Sequence, residues 1–124
     1  MNIHESAENY LEAILALSEQ GPVRSIDVAQ RLNVSKPSVS RAMSLLREGG
    51  FVVMDDNGFL TLTGAGLEIA QRIYERHLLL TKWLIHLGVS EDVAAADACR
   101  VEHDVSVESF DALRKHINQD MGIE

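Results

Sequence analysis

A chain of 124 residues, 46% of them hydrophobic, is long enough for one conventional core or for two small linked lobes. Its single cysteine excludes an internal disulfide and suits a reducing compartment, and its short apolar runs exclude a membrane-spanning helix. The formal charge of −8 argues against indiscriminate nucleic-acid binding by the whole surface, but not against a local basic face.

The opening "MNIHESAENY" has neither the basic nor the apolar stretch of a secretory signal, so a cytoplasmic protein is expected. Residues 7–19 place Tyr10, Leu11, Ile14, Leu15 and Leu17 at helical spacing, with Ser6 as N-cap and Gly21 as the stop. A short second helix is expected over 26–32, capped by Ser25, and "NVS" then makes a turn. Ser35 caps a third helix to about Glu48, with Pro37 tolerated in its first turn. "GG" at 49–50 ends it, and "FVVMDDNGFLTL" reads as two strands around an Asn57-Gly58 hairpin. Thr63 caps a long helix over 64–87, weakened at its start by Gly64 and Gly66. Two more helices follow, over 91–103 after Ser90 and from 106 or 107 to about 118.

This order predicts a mainly α fold. A winged helix-turn-helix DNA-binding domain is expected over residues 1–63, and a second, helical lobe over 64–124. In "DVAQRLNVSKPSVSRAMSLLR", Ala29 and Leu32 face inward, Val34 plugs the turn, and Val39, Met43 and Leu46 form the buried stripe of the second helix. The outward set, Ser35, Lys36, Pro37, Ser38, Ser40 and Arg41, is small, polar or cationic and suits a major groove. Against this stands a bare three-helix bundle with a solvated polar face. The wing tip Asp55-Asp56-Asn57-Gly58 is acidic and is not expected to hold phosphate, which leaves Lys36 and Arg41, with Arg24 or Arg47, for that contact.

"CRVEHD" at 99–104 puts a thiol, a carboxylate and an imidazole on one helical face at i, i+3 and i+4. A soft, a hard and a borderline donor together suit a first-row divalent metal. Further donors are sought among polar residues on apolar faces. His77 lies mid-stripe, with Ile73, Tyr74, Leu80 and Leu84 as helical neighbours. On the first helix Glu12 is next, with Asn9 one turn before it and Glu8 as a competing carboxylate. Taken singly, each has an ordinary reading as a satisfied core residue or a solvated charge. His4, His86 and His116 read as surface or partly buried histidines.

"AENYLEAI", the helix-turn-helix, "LTLTGAG", "ERHLLLTKWL" and "ACRVEH", in this order along nearly the whole chain, resemble the diphtheria-toxin-repressor family of iron- and manganese-dependent transcriptional repressors. The resemblance implies a cytoplasmic homodimer that binds operator DNA and is no enzyme. By position it implies the ligands Asn9, Glu12, His77, Cys99, Glu102 and His103. It implies a divalent metal that joins the two domains and fixes the recognition helices, about one DNA turn or roughly 34 Å apart, for the operator. No membrane and no organic ligand is then required. Three positions depart from the family pattern. Asn9 stands where manganese-type members have an acid and iron-type members a methionine. Cys99 matches the iron type rather than the manganese type's glutamate, and Thr81 replaces a glutamate of an ancillary site. The thiol favours Fe²⁺ as first choice, with Mn²⁺ second and Co²⁺, Ni²⁺ or Zn²⁺ as in-vitro substitutes. Competing readings are a metal-independent winged-helix regulator with an organic effector, a thiol redox sensor centred on Cys99, and a metallohydrolase, for which no HExxH-type motif is found.

Overall fold

The computed structural model describes residues 5–122. Among these the element order is α1 (Glu5–Ser18), β1 (Val23–Arg24), α2 (Ser25–Leu32), α3 (Lys36–Glu48), β2 (Val52–Met54), β3 (Phe59–Leu62), α4 (Gly64–His86), α5 (Glu91–Val101) and α6 (Val107–Met121). The chain divides into two compact units, Met1–Arg72 and Ile73–Glu124, with the division inside α4. His4 lies outside the described residues. No helix among the described residues is long and apolar enough to cross a membrane.

In the first unit, the helical periodicity of α1 delivers Leu11 and Ile14 to a core shared with Val28 of α2, Val39, Met43 and Leu46 of α3, and Val52 and Leu60 of the sheet. Burying an aliphatic side chain of this size stabilises by about 1.5–3 kcal/mol, so this cluster holds the three helices on the sheet. The α2–α3 turn is closed by the main chain. Asn33 adopts the left-handed conformation, and the Val34 N–H donates to the Ala29 carbonyl at 3.1 Å. Val34 itself is 36% exposed and does not plug the turn as expected; Val28, fully buried, does the packing. Two expected caps also differ. α1 already includes Glu5, so Ser6 lies inside its first turn. Ser25 is the first residue of α2, and the Asp27 carboxylate accepts the Arg24 N–H at 2.9 Å.

The sheet is antiparallel, in the order β1-β3-β2. β1 was not expected, because two residues carry no readable period; it pairs Val23 with Leu60. The wing turn is closed by Asp55, whose Oδ1 accepts the N–H groups of Asn57 and Phe59 at 2.9 Å each. The sheet then runs into α4 through a tight corner. The Thr63 hydroxyl donates to the Gly50 carbonyl at 2.6 Å and accepts the Gly66 N–H at 3.2 Å. A Cβ on Gly66 would lie 2.1 Å from the Phe51 carbonyl oxygen. The glycine that reads as a weak first helical turn is thus what lets α4 pass against the strand.

The second unit packs Leu80 of α4, Ala98 of α5 and Phe110 of α6 together, with Leu79 and Val105 against them. Ser106 caps α6 by accepting the Ser109 N–H at 3.1 Å, and the helix runs to Met121, three residues past the expected end. α5 ends at Val101, two residues short of the expected limit, so Glu102 is its C-cap and His103 lies in the turn beyond.

Candidate metal centre and DNA-reading face

α3 carries the face expected to read DNA. Ser35 starts the helix: its Oγ accepts the Ser38 N–H at 3.3 Å and donates to the Ser38 hydroxyl at 2.8 Å. Ser35, Lys36, Pro37, Ser38, Ser40 and Arg41 are all exposed, while Val39, Met43 and Leu46 bury the opposite side. The first two turns of the helix therefore offer hydroxyls and two cations, with the exposed Leu45 one turn beyond Arg41. Arg24 lies over the Phe59 ring at 4.5 Å, which holds its guanidinium at the junction of α2 and the wing strand. Asp55 turns one of the two wing-tip acids onto the tip's own backbone.

On α1, Glu8 is buried and paired with Arg72, Nη2 to Oε2 at 3.3 Å. Its carboxylate therefore ties α1 to the first half of α4. Asn9 and Glu12 are partly buried on the same helix.

In the second unit the donors on α4 and α5 converge. One ligand atom each from His77, Cys99 and Glu102 all lie within 4.8 Å of one another. Glu102 is fully buried, and its Oε2 is 2.9 Å from His77 Nδ1. Its Oε1 is 3.4 Å from Nε2 of His103, whose side chain is also buried. Burial pushes the Glu102 carboxyl up, but the hydrogen bonds from His103 and His77, with the charge of those rings, outweigh it. The group titrates below the ordinary carboxylate range and stays an anion. Cys99 is exposed. A buried carboxylate held between imidazoles, with a thiol alongside, fits a first-row divalent ion. The structure thus brings together His77, Cys99 and Glu102, with His103 against the carboxylate; Asn9 and Glu12 belong to the first unit.

Arg76 was missed by sequence reasoning. It is 4% exposed, and its Nη1 donates to the carbonyls of Glu102 at 2.9 Å and Val105 at 2.7 Å. A signal existed: Ile73, Leu79 and Leu80 at i−3, i+3 and i+4 put Arg76 on the buried stripe of α4. A search confined to metal donors passes over an arginine.

A winged helix-turn-helix joined to a helical unit that gathers metal donors defines the class of metal-responsive DNA-binding regulators. Comparison with known proteins then places the chain. Residues 2–58 match the family model "Iron dependent repressor, N-terminal DNA binding domain" and residues 63–120 match "Iron dependent repressor, metal binding and dimerisation domain". The chain is 39% identical over 111 residues to the transcriptional regulator MntR of Escherichia coli, covering 89% of this chain and 72% of that protein. Among solved structures it superposes on the manganese regulator SloR with a TM-score of 0.80 at 30% identity, covering 95% of this chain and 55% of that one. It superposes on a manganese-dependent transcriptional repressor in complex with manganese at 0.81 and 31%, covering 95% and 53%. The chain belongs to the iron-dependent repressor family, and spans about half the length of these solved relatives.

Proposed function

We propose that this protein is a metal-dependent transcriptional repressor that acts in the cytoplasm as a homodimer on operator DNA, and that it is not an enzyme. The observation that carries the reading is the convergence of His77, Cys99 and Glu102 on one point, in a chain whose α3 presents an exposed hydroxyl and cationic face. Residues 1–63 are the DNA-binding domain and 64–124 the metal-binding and dimerisation domain in this reading, in keeping with family models that end at 58 and begin at 63. Lys36 and Arg41 contact phosphate, while Ser35, Pro37, Ser38 and Ser40 lie against base edges and sugars.

His77, Cys99, Glu102 and His103 hold the metal, and Asn9 and Glu12 of α1 complete the set by the family resemblance. A divalent ion held by these residues would supply positive charge that offsets the repulsion between the carboxylates of Glu12 and Glu102. Cys99 and His77 act as donors only when deprotonated, so metal uptake releases protons. The relatives are named for manganese, whereas the thiol of Cys99 raises the affinity for Fe²⁺, Co²⁺, Ni²⁺ and Zn²⁺ relative to Mn²⁺. Fe²⁺ and Mn²⁺ are therefore both carried as the metal, and Cys99 is the residue that divides them. An organic effector and a redox role centred on Cys99 are the rivals this reading sets aside.

The test uses a duplex selected from a random double-stranded pool in the presence of Mn²⁺. Its binding is titrated against Fe²⁺ under anaerobic conditions, Mn²⁺ and Zn²⁺, for wild type and Cys99→Ala. The expected result is metal-dependent binding, with Cys99→Ala moving the preference toward Mn²⁺. Equal DNA binding in chelator contradicts the function, and an unchanged metal profile in Cys99→Ala removes Cys99 from the ligand set.

A further inference from the structure

We propose that Arg76 is the positioning residue of the metal centre: it holds the main chain at Glu102 in place so that the carboxylate meets His77. The proposal rests on the metal-centre reading above. Glu102 sits at the C-terminal end of α5, where carbonyls lack helical partners and the last turn tends to fray. A ligand at a fraying end is badly placed, because donors misplaced by fractions of an ångström lose affinity.

Arg76 addresses this from the neighbouring helix. The two N–H groups of its Nη1 go to the carbonyls of Glu102 and Val105, at 2.9 and 2.7 Å, one at each end of the turn. The positive charge also faces the negative end of the α5 dipole. The guanidinium is itself fixed, 4.9 Å over the Phe110 ring of α6. The next residue on α4, His77, bonds the Glu102 carboxylate at 2.9 Å. Two consecutive residues of one rigid helix thus grip Glu102, one by its backbone and one by its side chain. Both of these Arg76 bonds go to main-chain carbonyls, so they act on the metal site through the position of Glu102. A second guanidinium, that of Arg114, lies 5.0 Å over the same Phe110 ring and pairs with Asp111 at 3.2 Å, and so supplies a control.

The experiment compares wild type, Arg76→Gln, Arg76→Lys and Arg114→Gln. Each is titrated anaerobically with Co²⁺ and with Mn²⁺ against a competing chelator. The absorption of the Co²⁺ complex is recorded, and thermal unfolding of the metal-free protein is followed in parallel. The expected result is a loss in Arg76→Gln of roughly 10–100-fold in affinity, the range for removing an outer partner of a metal ligand. Its Co²⁺ spectrum should change shape, Arg76→Lys should recover part of the affinity, and Arg114→Gln should bind like wild type. A merely structural role would lower the unfolding temperature and leave the spectrum of the folded protein alone. The proposal is overturned if folded Arg76 variants keep wild-type affinity and spectrum, or if Arg114→Gln loses as much, which would assign the effect to packing on Phe110. It is also overturned if neither Arg76 variant folds even with metal, since Arg76 would then be a folding residue. Wild type that binds neither ion removes the metal-centre reading itself, and this inference with it.

Discussion

The chain turns sharply at two corners where a side chain reaches across to main-chain carbonyls, and the two are built at different ranges. At the first, between the sheet and α4, the Thr63 hydroxyl donates to the carbonyl of Gly50, 13 residues away, at 2.6 Å, and Gly66 passes under Phe51. At the second, after α5, the Arg76 guanidinium donates to the carbonyl of Glu102, 26 residues away, at 2.9 Å. The first corner joins neighbouring elements and holds a fold. The second joins helix α4 to the end of α5, beside the cluster of His77, Cys99 and Glu102. The difference shows where function is added. The reading head is built from short-range rules of turn, cap and hairpin. The cluster of His77, Cys99 and Glu102 comes together only once α4 and α5 are packed.

That contrast can be broken by single substitutions that each touch one corner. The largest effect is expected from Glu102→Gln, which keeps the shape but removes the buried anion between His77 and His103. Affinity for Mn²⁺ should fall by more than the roughly 100-fold that marks the upper end for outer partners. Urea unfolding should show the first unit as stable as before, and isothermal titration gives the affinity. A smaller effect is expected from Gly66→Ala. The added Cβ, 2.1 Å from the Phe51 carbonyl oxygen, forces the backbone apart. Overpacking of this kind costs about 3 kcal/mol at the upper end of its usual range, and the better helix propensity of alanine returns about 1 kcal/mol. The net loss, about 2 kcal/mol, is read from the urea midpoint. Metal affinity of the folded Gly66→Ala protein should be unchanged. If instead Glu102→Gln unfolds the first unit, or Gly66→Ala weakens the metal, the two corners are not independent.

The same division explains how much was legible in the sequence. Ser35, Pro37 and Asn57-Gly58 are local signals, and each helix or turn they mark is where it was expected. Val34 misled because an apolar residue in a turn reads as a plug, whereas a main-chain bond to Ala29 closes the turn and leaves the side chain exposed. β1 escaped because Val23-Arg24 is too short to have a period. At the metal centre, the spacing of Cys99 and Glu102 and the odd position of His77 on an apolar stripe could be read, and the structure brings these three together. Arg76 could not be read as a partner of Glu102: its bonds go to carbonyls, which every residue has, so no residue type in the sequence marks the acceptor. In the sequence Glu8 stood as a competing choice to Glu12, and its 3.3 Å pairing with Arg72 appears only in the structure.

The central claim is that the metal and the operator are coupled. Coupling between two binding sites is reciprocal, so whatever factor the metal adds to DNA affinity, DNA must add to metal affinity. The direct measurement is the Mn²⁺ affinity of the wild-type protein, by chelator-buffered titration, with and without the selected duplex at saturation. Coupled sites predict tighter metal binding on DNA, by a factor in the usual range of roughly 5–150 and equal to that measured in the opposite direction. The same Mn²⁺ affinity with and without the duplex would contradict it.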